Sequence, residues 1–284
     1  MSKIWFITGA SRGLGADIAK AALRAGDRVV ATSRSAASVE KALGASDSVL
    51  ALDLDVTRPE QADVAVKAAM ARFGRIDVLV NNAAYVLMGA LEECSFEEIE
   101  AQYATNVLGL IAVTKAVLPV LRKQGSGHVF NISSMAGIRS APGGSLYCST
   151  KFAVEGLSEG LAAELMPLGI KLTIIEPGAF RTEFLTGASA VFSRDTIDVY
   201  ATTAAGESRR FTSMLNGTQG GDPAKLAEMI VALSYHQSPP LRFVAGADAV
   251  ESVEAMLENR SQNLEAWRAK SVSLALDDRT LTAS

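Results

Sequence analysis

Residues 8–15 read TGASRGLG, and they stand between two contrasting segments. Before them, 4–7 (IWFI) is a short apolar run of strand type. After them, 14–25 carries apolar residues at helical spacing, with Leu14, Ile18, Ala21, Ala22 and Leu23. A glycine-rich turn from strand to helix is the context in which backbone closely approaches a pyrophosphate. The helix N-terminus behind it favours the negative charge. The spacing is TGxxxGxG rather than GxGxxG, and Gly9, Gly13 and Gly15 each have a position to fill. Ser11, Arg12 and Leu14 complete the turn.

The pattern repeats outward. Strand-like runs recur at 28–32 (RVVAT), 49–52 (VLAL), 76–80 (IDVLV), 128–132 (HVFNI) and 171–175 (KLTII). Helical stretches separate or follow them, among them 60–73, 96–123, 150–166 and 224–234. Short apolar runs alternating with helices predict a parallel sheet buried on both faces. The fold expected is therefore α/β, a doubly wound parallel sheet of the Rossmann kind with helices on both faces. Neither repeats nor low-complexity linkers break the chain, so 1–284 is read as a single domain.

The second strand ends VVATSRS. A fold of this kind that selects NAD places an acid about 20 residues after the glycine turn to hold the ribose 2′-hydroxyl. Here no acid stands at Thr32 or Ser33, and Arg34 follows. Arg34, joined by Arg12, can hold a 2′-phosphate by bidentate contacts. The cofactor expected is NADP.

The composition narrows the partners. The chain has 284 residues, 49 % of them hydrophobic and 20 % charged, with a net charge of −4. No basic face would track a phosphate backbone, so no nucleic-acid partner is expected. Two cysteines, Cys94 and Cys148, make no disulfide framework and suggest a reducing, cytoplasmic setting. The N-terminus does not read as a signal peptide, and no apolar run is read as a membrane span. His128 and His236 lie far apart, and no metal site is expected. His128 is read as structural and Cys148 as a small apolar filler.

Regularity fades after Pro177. Residues 183–221 show no clean period, and this stretch is read as a substrate lid rather than a disordered insertion. Phe184, Phe192, Phe211, Met214 and Leu215 argue against disorder. Met88, Met135 and Ile138 are candidates for the pocket wall, with ordinary core packing as the alternative. The tail, 252–282, reads as weakly helical.

Six further motifs complete a set: LDV at 54–56, NNAA at 81–84, YATNVLG at 103–109, NISSMAG at 131–137, YCSTK at 147–151 and EPGAFRT at 176–182. With TGASRGLG they resemble the short-chain dehydrogenase/reductase family over residues 3–180. The overall pattern leans towards its hydroxysteroid- and retinol-dehydrogenase-like members. The resemblance implies roles position by position. Tyr147 is the general acid/base, and Lys151 holds the nicotinamide ribose and lowers the tyrosine pKa. Ser134 hydrogen-bonds the substrate oxygen. Asn106 anchors a water leading to the lysine. Asn82 belongs to the NNAG-type motif, here with Ala84 in place of glycine. Asp55 lies near the adenine and Thr182 near the carboxamide, with Pro177 and Gly178 beside it.

Physics supports the tyrosine–lysine pair. Residues four apart share a helix face. An ammonium beside a phenol favours the phenolate, and an oxidised nicotinamide ring would add to the effect. The activity implied is hydride transfer between NADP(H) and a ketone or secondary alcohol, on a hydrophobic small molecule. The alternatives are a carrier-linked 3-oxoacyl reductase and a non-catalytic NADP-binding regulator. A homodimer or homotetramer is expected through the helices at 96–123 and 150–166.

Overall fold

The computed structural model describes residues 2–185, 189–215 and 217–276. In chain order the elements are β1 (Ile4–Thr8), α1 (Gly13–Arg24), β2 (Arg28–Ser33), α2 (Ala36–Leu43), β3 (Val49–Asp53), α3 (Pro59–Phe73), β4 (Val78–Asn81) and β5 (Val86–Met88). There follow α4 (Phe96–Tyr103), a π-helical turn (Ala104–Gly109), α5 (Leu110–Gln124), β6 (Gly127–Ile132), α6 (Ser145–Leu165) and β7 (Ile170–Pro177). The chain continues with β8 (Ala190–Phe192), α7 (Ala204–Leu215), α8 (Pro223–Tyr235), β9 (Arg242–Ala245) and α9 (Ala247–Val272).

Seven parallel strands form one sheet in the order β3-β2-β1-β4-β6-β7-β9. The doubly wound architecture expected from the sequence is present. Side chains alternate across the sheet, because successive Cβ atoms point to opposite faces. Trp5 and Ile7 enter one core layer with Ile18 of α1, Phe130 of β6 and Ile230 of α8. Ile4 and Phe6 enter the other, with Leu79 of β4 and Val113, Val117 and Leu121 of α5. Strands buried on both faces need apolar residues throughout, and β1 is buried at every position. The order reverses between β1 and β4, and ligands of such sheets bind outside the carboxyl ends at that point.

Several elements were not legible. Short strands β5 and β8 pair in parallel as a separate two-stranded sheet, with Leu87 opposite Val191. Three-residue strands joined across a hundred residues leave no local period. The stretch expected to be irregular, 183–221, contains β8 and the twelve-residue helix α7. Residues 186–188 and 216, the side chain of Leu215, and the end of the tail lie outside the described residues. Strand β9 adds an edge to the sheet that the sequence reading lacked. Helix α6 begins at Ser145, earlier than expected. This shift puts Tyr147 in its first turn.

Phe96–Gln124 is, by length and composition, apolar enough to cross a membrane, which the sequence reading did not expect. Its inner face, Val113, Val117 and Leu121, is core packing. The helix is interrupted by the π turn, where Gly109 lets the backbone close onto Val56. A Cβ at Gly109 would stand 2.7 Å from Val56 Cγ2.

Candidate active site

The glycine turn is built around backbone contact. Gly9 has φ of +66°, a left-handed conformation that glycine adopts without penalty. Asn82 buttresses it from β4, its Nδ2 donating to Thr8 O at 3.0 Å and to Gly9 O at 3.2 Å. The Thr8 hydroxyl accepts from the amides of Asn82 and Ala83, both at 3.0 Å. Asn82 thus holds the turn in shape while also lining the cavity. Gly15 does not line the cavity, against expectation. A Cβ there would sit 2.4 Å from Gly9 O and 2.5 Å from Asn82 Nδ2. Its place is close packing of α1 on the turn.

No side chain caps the N-terminus of α1, and its first turn holds no acid. The positive end of the helix dipole lies at the cavity wall formed by Gly9, Ser11 and Gly13. This cradle fits a dinucleotide pyrophosphate. Arg12 is engaged elsewhere than expected, its Nη2 donating to Ser189 Oγ at 2.9 Å. At the end of β2, Ser33, Arg34, Ser35 and Ser38 line the same cavity. Asp55 lines it too, and its Oδ1 accepts from the amide of Thr57 at 3.0 Å and its hydroxyl at 2.7 Å. Burial raises the Asp55 carboxyl, but the Thr57 bonds and the nearby Arg34 outweigh this and hold it below its ordinary value.

Tyr147 and Lys151 lie on one face of α6, the lysine Nζ 5.8 Å from the phenol ring centroid. Lys151 is 3 % exposed, and its Nζ donates to Ile132 O at 2.8 Å. Ser134 starts the turn after β6. Its Oγ accepts from Ala136 N at 3.1 Å and donates to Pro177 O at 3.4 Å.

The expected lowering of the tyrosine pKa is not what the site shows. Burial raises the Tyr147 phenol above its ordinary value, and the Ser134 hydroxyl pulls the other way without reversing it. Loss of water around the phenolate is the largest cause of the rise. The same burial lowers Lys151 to about 8, with Glu155 opposing.

Behind the lysine lies a carboxyl pair that the sequence reading missed. Arg242 Nε is 3.3 Å from Glu155 Oε2 and 3.5 Å from Glu176 Oε1. Burial first, and Glu155 second, raise Glu176 to about 7. Glu155 follows Lys151 by four residues, as Lys151 follows Tyr147, so the helical spacing was the available signal.

Asn106 is likewise turned inward. The π turn aims it at Tyr85, whose amide it accepts at 3.0 Å and whose carbonyl it donates to at 2.9 Å. Its Nδ2 also donates to Thr150 Oγ1 at 3.1 Å. Among the described residues its hydrogen bonds go to Tyr85 and Thr150, and it is not part of the cavity wall. An inserted π turn of this kind often re-aims a side chain at a site.

One cavity of about 1200 Å³ joins these parts. Its wall carries Gly9, Ser11, Arg12, Gly13 and Leu14 in one region and Arg34 and Asp55 in another. Ser134, Tyr147, Lys151, Pro177, Gly178 and Thr182 form a third. Met88, Met135, Phe184 and Phe211 line it as expected; Ile138, Phe192 and Met214 do not. Phe192 packs instead with Val86 and Met88 beneath the Arg209 guanidinium, 5.1 Å from its ring. Cys148 is buried in the wall. His128 is buried away from it, Nε2 2.9 Å from Thr173 Oγ1, and burial lowers it to about 3. Among the described residues, no group of three or more His, Cys, Asp or Glu side chains could hold a metal.

Comparisons with known proteins agree with this geometry. The short chain dehydrogenase family model matches residues 3–190. Oxidoreductase BOA17 of Botryotinia fuckeliana is 42 % identical over 278 residues, covering 97 % of this chain and all of that protein. The crystal structure of a short-chain dehydrogenase from Streptomyces avermitilis superposes with a TM-score of 0.89 at 41 % identity, covering 97 % of this chain and 100 % of that one. Two more distant structures carry nicotinamide cofactors. A 3-ketoacyl-(acyl-carrier-protein) reductase from Brucella melitensis with NADH has a TM-score of 0.71 at 27 % identity, over 86 % and 95 % of the two chains. An alcohol dehydrogenase from Thermococcus sibiricus with 5-hydroxy-NADP has a TM-score of 0.69 at 28 % identity, over 86 % and 96 %. With a glycine cradle, a helix N-terminus and a half-buried tyrosine beside a buried lysine on one cavity, this chain belongs to the short-chain dehydrogenase family and is an NAD(P)-dependent oxidoreductase.

Proposed function

We propose that this chain reduces a hydrophobic ketone, or oxidises the corresponding secondary alcohol, with NADP(H) as cofactor. The observation that carries the reading is the placement of Ser134, Tyr147 and Lys151 on the cavity that also holds the glycine turn. When bound, the nicotinamide supplies or accepts the hydride. Tyr147 gives the carbonyl oxygen its proton; burial keeps the phenol protonated, which suits a donor. Ser134 Oγ donates to the same oxygen and fixes its position. Lys151 holds the ribose and presents its charge beneath the phenol, with Glu155 behind it. Asn106 positions Tyr85 and Thr150 around α6.

Arg34 at the end of β2, with no acid at Ser33, supports NADP over NAD. Met88, Met135, Phe184 and Phe211 support an apolar substrate, such as the hydroxysteroid- and retinol-like members take. Phe184, Val191, Phe211 and Gln219 of 183–221 line this part of the cavity, which supports a lid role for that stretch. Exposed Leu108 and Phe152, 61 % and 37 % exposed beside α5 and on α6, support a homo-oligomer through those helices. Two free cysteines fit a cytoplasmic location. The Brucella neighbour gives a second reading, reduction of a carrier-bound 3-oxoacyl group.

The test is loss of absorbance at 340 nm with NADPH and with NADH across steroid, aliphatic and aromatic ketones and a 3-oxoacyl carrier thioester. Turnover of apolar ketones with NADPH supports the reading. Turnover of the carrier thioester alone favours the second, and turnover of none contradicts both.

A further inference from the structure

Helix α9 leaves the body of the protein with an apolar stripe that no other described residue covers. Ala249 is its buried residue, and Ser252, Val253 and Met256 are half-buried against the body. From Leu257 to Val272 every residue is exposed, a length of about 24 Å at 1.5 Å per residue. Leu257, Leu264 and Trp267 are 57 %, 57 % and 59 % exposed along it.

The spacing of these residues is not that of an ordinary surface helix. Val250, Val253, Leu257, Arg260, Leu264, Trp267, Ser271 and Leu274 alternate steps of three and four. That is the a/d spacing of a two-stranded coiled coil; Val253 is half-buried and Leu274 lies just past the end of α9, so the open part of the seam runs from Leu257 to Ser271, about two heptads, with Arg260 and Ser271 as its polar members. Such a seam needs a second helix with the same repeat, and this helix supplies one.

Charge selects the partner and its direction. Beside the seam, at equivalent positions of successive heptads, stand Glu254, Ser261 and Arg268. We propose that α9 pairs antiparallel with α9 of a second copy of this chain, about a two-fold axis near residue 262. In that register Leu257 packs on Trp267 of the other copy. Arg260, its stem lying along the seam, meets Leu264. Glu254 then faces Arg268 twice, once on each side of the axis, and Ser261 faces itself. A parallel pair brings neither charge to its opposite. Within the helix Arg268 Nε now meets Glu265 at 2.7 Å, an exposed contact that is readily exchanged. This interface is separate from α5 and α6 and does not rest on the proposed reaction. If both form, two isologous contacts close a tetramer.

The test is the mass of the full chain by light scattering at about 50 µM. Leu264→Asp should halve the mass found for the wild type while leaving reductase activity per chain and helix content in place. Glu254→Arg and Arg268→Glu should each weaken assembly about tenfold, through two repelling contacts. The double variant Glu254→Arg/Arg268→Glu should restore it, because both pairs are attractive again. A wild type with the mass of one chain overturns the proposal, as does an unchanged mass in Leu264→Asp. So does a double variant no better than either single one, which is the result if a different protein or the chain's own C-terminus covers the stripe.

Discussion

Lys151 Nζ donates to the carbonyl oxygen of Ile132 across 2.8 Å, tying helix α6 to the end of β6 by a buried charge. Ser133 and Ser134 follow Ile132 directly, so the lysine positions the serine turn as well as the phenol.

Lys151→Met keeps the stem and removes the donor. It should lower kcat/KM at least ~100-fold, the contribution of a well-placed proton-transfer system, and weaken cofactor binding too. Steady-state kinetics with fluorescence titration of NADPH measures both. Unchanged binding would show that the ammonium serves only the tyrosine.

The lysine also sets a pH dependence. Its folded value is about 8 against an ordinary 10.5, so carbonyl reduction should fall as pH rises through about 8. Stability should not fall with it. Between these two values the unfolded chain binds the extra proton, so this group's contribution to stability rises with pH. Lys151→Arg stays charged and should lose that limb of the rate profile. Persistence of the limb in this variant would assign it to another group.

Glu176 works in the opposite sense. Its folded value is raised to about 7 from 4.5, so the folded chain holds the extra proton in that window and stability is lost as pH rises through it. Glu176→Gln should therefore be more stable than the wild type at pH 8, by about 2 kcal/mol, with the difference vanishing near pH 4. Arg242 keeps Glu159 and Glu155 as partners in the variant. Paired denaturant curves at the two pH values measure the difference, and His128, common to both proteins, cancels. A variant less stable at pH 8 would show that the Arg242 contact outweighs the burial.

Arg34→Ala should weaken NADPH about ten- to a hundredfold, at roughly 1.5–3 kcal/mol per charge-assisted contact, and spare NADH. Ser33→Asp should go further and favour NADH. Equal losses of both cofactors on Arg34→Ala would remove the phosphate-reading role.

The sheet was legible because β1, β2, β4, β6 and β7 each carry a short apolar run, such as Ile4–Ile7 or Val78–Val80, and a strand buried on both faces leaves that mark locally. The glycine turn and Tyr147–Lys151 were legible because short spacings fix their geometry. What escaped depends on distant partners. Nothing in Val86–Met88 foretells Ala190–Phe192, and nothing near Asn82 or Asn106 says that their amides bond Gly9 O and Tyr85. The sign of the Tyr147 shift escaped for a related reason. Spacing gives the distance to a charge, whereas the shift is decided by how much water the rest of the fold excludes. Gly15 belongs to the turn motif, but its requirement is space, because a Cβ there would collide with Gly9 O.

Tyr147→Phe tests the central assignment most directly. The variant keeps the ring that packs near Phe184, 6.2 Å between centroids, and loses the hydroxyl alone. Single-turnover reduction of a ketone accepted by the wild type, with NADPH binding measured in the same preparation, separates chemistry from binding. The expected result is a rate lower by ~1000-fold or more with the NADPH dissociation constant changed by less than ~threefold. A variant that retains more than about a tenth of the wild-type rate would contradict the assignment of Tyr147 as the proton donor.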